Sequence, residues 1–199
     1  MERASNKIIS VSSSSKKAGK SSLASFLVRE LGADFGLKVS SGGAHTTSET
    51  VITDPEVIDC EGTDTGHLKE AGAKLVLWVN TEEGMLEGEI TRALGMFPSG
   101  GLLMVEGNSA VPYLNPDFAV FLMSVPFEDF KPSANLALSK ADLVLVDEDS
   151  LAGKTGKEHI EEQIRIRSQG AKVNFYRGKR GQELAWFEVA RTISEKLKD

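Results

Sequence analysis

Residues 7–31 constrain this chain more than any other stretch. Lys7-Ile-Ile-Ser-Val is a short apolar run, Ser12–Ala18 is small and basic, Gly19-Lys20-Ser21 follows, and an apolar periodicity of helical spacing then runs over Lys20–Leu31. Strand, small-residue loop and helix in that order are the grammar of a phosphate-binding loop. Backbone N–H groups of such a loop converge on phosphate oxygens, the helix N-terminus adds partial positive charge, and a lysine neutralises the far phosphates. Here the cradle comprises Ser14, Ser15, Lys16, Lys17, Ala18, Gly19, Lys20, Ser21 and Ser22, with the Ser21 hydroxyl offered to Mg²⁺. The usual pattern opens with glycine, where this chain has Ser14, and serine is less tolerant than glycine of a positive φ. A serine-rich turn that merely starts a helix is the competing interpretation.

Short apolar runs alternate with helical patterns along the rest of the chain, the signature of a mostly parallel sheet covered by helices on both faces. The runs predict strands at 7–11, 37–40, 56–58, 75–79, 102–105, 118–123, 143–146 and 173–176. Helices are predicted over 20–31, 65–71, 84–94, 133–139, 155–169 and 182–197, with 40–54 and 108–117 as loops. The expected fold is α/β, a three-layer P-loop NTPase architecture within a single nucleotide-binding domain spanning residues 1–199.

The net charge of −6 argues against a broad nucleic-acid footprint. No run approaches the roughly 18 apolar residues that span a bilayer, and residues 1–4 lead straight into the first strand, so no membrane segment or signal peptide is expected. Cys60 is the sole cysteine, which excludes an intrachain disulfide and fits a cytoplasmic protein. Cys60 itself reads as a quiet small residue rather than a nucleophile. The three histidines and Cys60 lack zinc-ligand spacing.

Ligands of open α/β sheets bind outside the carboxyl ends of the strands. Glu106 ends the run Leu102-Leu103-Met104-Val105 and is the candidate catalytic and Mg²⁺-orienting acid; Asp59, after the expected third strand, is a second metal candidate. Asp64 reads either as a helix N-cap, a role open to Thr65 as well, or as a base acting on an acceptor. His45 could contact phosphate or shuttle a proton, whereas His67 and His159 read as surface residues. Ser139-Lys140-Ala141-Asp142 tempts comparison with the guanine motif Asn-Lys-x-Asp, but it precedes its strand instead of following it. Asp147, after that strand, is the candidate for reading the base, with Lys179 in the loop Arg177–Gly181 backing it.

Asp59-x-x-Gly62-x-Asp64-Thr65, continuing to Glu70-Ala71-Gly72-Ala73, resembles a block of the molybdopterin-guanine dinucleotide biosynthesis protein B family, with Glu61 in place of its proline. Gly19-Lys20-Ser21, His45 and Val105-Glu106-Gly107 fall in that family's order, so the resemblance covers residues 7–107. It implies a dimeric P-loop protein that binds GTP, hydrolyses it weakly and works with a nucleotidyltransferase. Three positions depart: Ser14 replaces the first loop glycine, Ala44-His45-Thr46-Thr47 replaces a basic double-histidine loop, and Asn108-Ser109-Ala110 lacks the family's lysine. The second half, 113–199, looks more like the urease and hydrogenase accessory GTPases.

The leading expectation is therefore a Mg²⁺-dependent protein that binds GTP or ATP, hydrolyses slowly and assists cofactor maturation. In it Lys20, Asp64 and Glu106 carry the chemistry, and Ser21, Asp59 and Glu106 hold the metal. Candidate partners are a nucleotidyltransferase or metalloenzyme-maturation protein and a second copy of the chain, for which the apolar run Phe118–Met123 is a possible edge. The alternatives are a small-molecule kinase or dethiobiotin synthetase-like ligase, and a non-catalytic nucleotide sensor in which residues 40–54 order on binding.

Overall fold

The computed structural model describes residues 5–42, 49–151, 156–168 and 170–198. The strands are β1 (Lys7–Ser13), β2 (Phe35–Ser41), β3 (Val51–Ile52), β4 (Leu75–Thr81), β5 (Leu102–Glu106), β6 (Phe118–Met123), β7 (Leu143–Asp147) and β8 (Lys172–Tyr176). The helices are α1 (Lys20–Leu31), α2 (Pro55–Ile58), α3 (Asp64–Glu70), α4 (Leu86–Met96), α5 (Pro132–Ser139), α6 (Glu148–Leu151), α7 (Lys157–Arg167) and α8 (Gly178–Lys196). The strands form one sheet in the order β3-β4-β2-β5-β1-β6-β7-β8. Every pairing is parallel except β3 with β4.

Alternation along the strands sends their side chains to the two faces of the sheet, where three buried clusters form. Val120 and Leu122 of β6 and Met104 of β5 pack with α1, α3 and α8. Phe121 and Met123 face α5 and α7, while Leu103 and Val105 face α4. Helix α1 docks through Leu23, Ala24, Leu27 and Val28, one stripe at helical spacing. Each such leucine contributes roughly 1.5–3 kcal/mol on burial. No helix among the described residues is long and apolar enough to cross a membrane.

At the amino ends of the strands, three aspartates repeat one device. Asp34 precedes β2 and accepts from the Leu102 N–H of β5 (3.2 Å). Asp117 precedes β6 and accepts from Ile8 of β1 (2.7 Å), and Asp142 precedes β7 and accepts from Ala119 of β6 (2.7 Å). Each carboxylate ties its own strand to the neighbour it pairs with. Asp142 thus serves the sheet at the end opposite the phosphate loop, as the placement of Ser139–Asp142 before its strand predicted.

Four expectations are corrected. Residues 56–58 are helical: the Asp54 side chain accepts from the Glu56 N–H (3.0 Å) and Pro55 sits in the first turn, a cap and a proline that start a helix. The third strand is instead Val51–Ile52. Serines 12 and 13 belong to β1, which pairs with β6 through Ser13, so the loop is shorter than the serine run suggested. Helix α8 begins at Gly178, which reduces the supposed basic loop to Arg177 and puts Lys179 on the first turn of a helix. Strand β6 lies between β1 and β7 with all six residues buried, so Phe118–Met123 is interior and offers no edge to a second copy.

Candidate functional site

β1 sits between β5 and β6, and the phosphate loop leaves its carboxyl end at the middle of the sheet. The Ser14 N–H is committed to the Leu122 carbonyl of β6 (2.8 Å), which anchors the loop's first residue. Ser13 is clamped from β5's side: its N–H donates to Asn108 Oδ1 (2.9 Å) and its carbonyl accepts from Asn108 Nδ2 (2.7 Å). Ser14 is buried, and its Oγ accepts from the Ser124 N–H (2.9 Å). No described residue other than glycine has a positive φ, so Ser14 does not take the strained conformation that its place in the motif suggested.

Gly19 does, with φ 88° and ψ 21°, at the N-cap of α1. A residue with Cβ would be strained there. Beyond it the helix opens with unsatisfied amides, as any helix does. Among the described residues the N–H groups of Lys16, Lys17, Gly19, Lys20 and Ser21 find no acceptor in the chain. Ser15, Gly19, Lys20 and Ser21 are partly exposed, Lys16, Lys17 and Ser22 exposed, and Ala18 buried. The Lys20 ammonium lies back over the loop, donating to Ser13 Oγ (2.9 Å) and the Ser15 carbonyl (3.5 Å). Burial lowers its pKa below 10.5 despite the attraction of Glu106, so a bound anion there would meet a poorly hydrated cation.

Ser21 connects this loop to two carboxylates. Its hydroxyl donates to Asp64 Oδ1 (2.5 Å) and lies 3.3 Å from Glu106 Oε1. Asp64 reaches Ser21 because Thr63, not Asp64 or Thr65, caps α3: the Thr63 hydroxyl accepts from the Gly66 N–H (3.0 Å), leaving the Asp64 side chain free. Glu106 ends β5 as expected and is 1% exposed. The next residue, Gly107, turns away with φ 138°; a Cβ there would stand 2.3 Å from the Val39 carbonyl oxygen. Asp59 caps the C-terminal end of α2 and is exposed, so Asp64 is the carboxylate that joins Ser21.

Lys38 completes the cluster, although it was not among the residues expected at the site. It sits in register with Glu106 across β2 and β5, its ammonium 2.8 Å from Glu106 Oε1 and 2.5 Å from Asp64 Oδ2. Burial works against its charge, but Glu106 and Asp64 together outweigh it and hold the pKa above 10.5. Burial also opposes the charge on Asp64, yet hydrogen bonds from Lys38 and Ser21 hold its pKa below 3.8. Glu106 Oε2 is buried with no partner among the described residues. A buried carboxylate oxygen without a donor is costly unless a ligand completes it. The Glu106 and Asp64 carboxylates with the Ser21 hydroxyl form an all-oxygen set suited to a hard cation such as Mg²⁺.

The cleft over this loop has a volume of about 430 Å³ and carries Lys16, Lys20, Lys38 and Lys131 on its walls. Neither Asp147 nor Lys179 is among its lining residues. Asp147 instead caps α6, accepting from the Asp149 N–H (3.1 Å) and the Ser150 hydroxyl (2.5 Å). The neighbouring Arg177 pairs with Glu148 and Asp149. His45 lies outside the described residues.

No protein-family model matches the chain, and no curated protein matches it. Solved structures do. The chain is similar to the hydrogenase maturation factor HypB from Archaeoglobus fulgidus, at 14% identity and a TM-score of 0.52, covering 94% of this chain and 90% of that one. It is also similar to HypB from Helicobacter pylori in complex with nickel, at 13% identity and a TM-score of 0.61, covering 96% and 86%. The fold is that of the P-loop NTPases. At these identities the likeness concerns architecture alone.

Proposed function

We propose that the chain binds a nucleoside triphosphate with Mg²⁺ at residues 14–22 and hydrolyses it slowly, as an accessory protein in the maturation of a cofactor. The open amides of the loop beside Lys20 at the N-terminus of α1 are the observation that carries this proposal. Those amides would take the phosphate oxygens, and the Lys20 ammonium would leave Ser13 Oγ and the Ser15 carbonyl to reach the far phosphates. Ser21, Glu106 and Asp64 would hold the metal. Bound magnesium would neutralise phosphate charge and orient the terminal group for in-line attack.

Among the described residues the cleft is lined by lysines rather than arginines, in keeping with slow turnover. The cofactor-maturation role draws on the molybdopterin-family resemblance of residues 59–73, and the choice between GTP and ATP has no anchor in Asp147, whose carboxylate is taken up by α6. A second reading, a small-molecule kinase or ligase, is favoured by one observation: a further cavity has Asp64 and Lys38 in its wall.

Calorimetric titration of GTP and of ATP, with and without Mg²⁺, tests the proposal on the wild type and on Lys20→Ala. Loss of the lysine's charge-assisted bonds should weaken binding about 10- to 100-fold. Wild-type protein that binds neither nucleotide would overturn it. Nucleotide consumption with and without candidate acceptors separates hydrolysis from transfer.

A further inference from the structure

The second cavity, about 480 Å³, shares Lys38 with the phosphate-loop cleft. That volume is ordinary for a small-molecule site. Its walls come from α2 and its following turn (Glu56, Val57, Cys60), from the start of α3 (Asp64, Thr65) and from Trp78 on β4. Trp78 is held in place: its Nε1–H donates to Ser40 Oγ (2.8 Å), and Ser40 in turn donates to Asn80 Oδ1 (3.1 Å). With its polar edge satisfied, the indole is left with ring surface to offer. The Thr63 hydroxyl is also spoken for, accepting from Gly66 N–H and donating to the Cys60 carbonyl (2.7 Å). Among the described residues Lys38 has a donor to spare. An ammonium carries three N–H groups, and its two carboxylate partners take two of them.

We infer that this cavity binds a second small ligand, a planar aromatic or heteroaromatic molecule carrying an oxygen acceptor, with its ring against Trp78 and Val57 and its oxygen at Lys38. The binding claim stands on the cavity alone. The ligand's role as co-substrate rests on the proposed nucleotide site, because Lys38 would then link the ligand's oxygen to Glu106, one of the proposed metal-holding groups. Glu56 at the rim disfavours a second negative charge on the outer side of the ring.

Cys60 supplies the handle for a test, being the sole cysteine and an exposed free thiol in the cavity wall. Two matched disulfide probes, the cysteamine amides of 4-hydroxybenzoic acid and of cyclohexanecarboxylic acid, are exchanged onto Cys60 under rising β-mercaptoethanol and read by intact mass. The aromatic probe should survive about tenfold more reductant than the saturated one, the size of one good ring contact. Trp78→Leu should reduce that preference to within about twofold, while Trp78→Phe keeps most of it. Equal survival of both probes on the wild-type chain overturns the inference, whether or not the variants fold. So does a preference that persists in a Trp78→Leu chain with wild-type melting. Nucleotide titration of the same preparation separates the two proposals. Normal nucleotide binding without ring preference overturns the cavity alone; ring preference without nucleotide binding overturns the nucleotide site alone.

Discussion

Lys38 and Glu106 face each other across adjacent parallel strands in a 2.8 Å pair, with Glu106 buried at 1% exposure and Lys38 partly buried at 15%. Asp64 shares the same ammonium from α3. Through the one ammonium the three groups tie β2 and β5 to the first turn of α3.

Breaking one side of such a pair leaves a buried charge alone. Lys38→Met should cost about 3–5 kcal/mol, and Glu106→Gln less, since the amide oxygen still accepts. The double variant should recover about 1–3 kcal/mol relative to the sum of the singles. Urea unfolding of the four proteins measures this; additive losses would mean that the two groups are not coupled.

Ser14→Gly restores the residue usual at the start of the motif, yet it should weaken the protein. The Ser14 Oγ accepts the Ser124 N–H, and the backbone has no positive φ that glycine would relieve. The expected loss is about 1–2 kcal/mol, seen as a lower midpoint in thermal unfolding.

Gly107→Ala should be worse. Its φ of 138° is outside the range of ordinary side chains, and its Cβ would collide with the Val39 carbonyl. A loss above about 2 kcal/mol is expected, along with weaker nucleotide binding as Glu106 moves. Denaturant midpoint and calorimetry on the same sample check both.

Two pH effects follow from the charges. Hydrogen bonds hold Asp64 below 3.8 against its burial, and a hydrogen bond from Lys74 does the same for Asp34. A depressed carboxyl stabilises the fold above its unfolded pKa, and that stability drains away as pH falls through the folded value, so acid unfolding should set in below pH 3.8. Asp34→Asn should flatten that acid limb. Burial, helped by Asp147, raises Tyr176 to about 12. Its contribution is whole below 10.0 and is lost as pH climbs through about 12. Absorbance of a Tyr113→Phe chain at alkaline pH should show Tyr176 ionising near that value.

The elements of strong local pattern were legible. Helix α1 and strand β6 span the residues that periodicity and apolar run indicated, and Glu106 ends its strand as read. Residues 56–58 misled because Val57-Ile58 is β-branched, while Asp54-Pro55 before them carried the helix signal. Lys38 was a lone charge in an apolar strand, which is a visible oddity. Its meaning required knowing that β2 lies beside β5, a non-local pairing that no short window contains. Asp59 and Asp64 are separated by Thr63 taking the cap, a choice among three neighbouring polar residues that spacing could not make. Asp147 and Lys179 were placed by strand order, but α6 and α8 begin at once and use those positions for their own first turns.

The aspartates at Asp34, Asp117 and Asp142 give the sheet a fixed foundation. Each laces two adjacent strands at the end remote from residues 14–22, so a slip of one residue would tear a carboxylate from its amide. Alignment being secured there, the opposite rim is released from that duty. Segments at that rim can be exchanged or lengthened without shifting the frame, which makes this protein a chassis on which new specificities could be grafted.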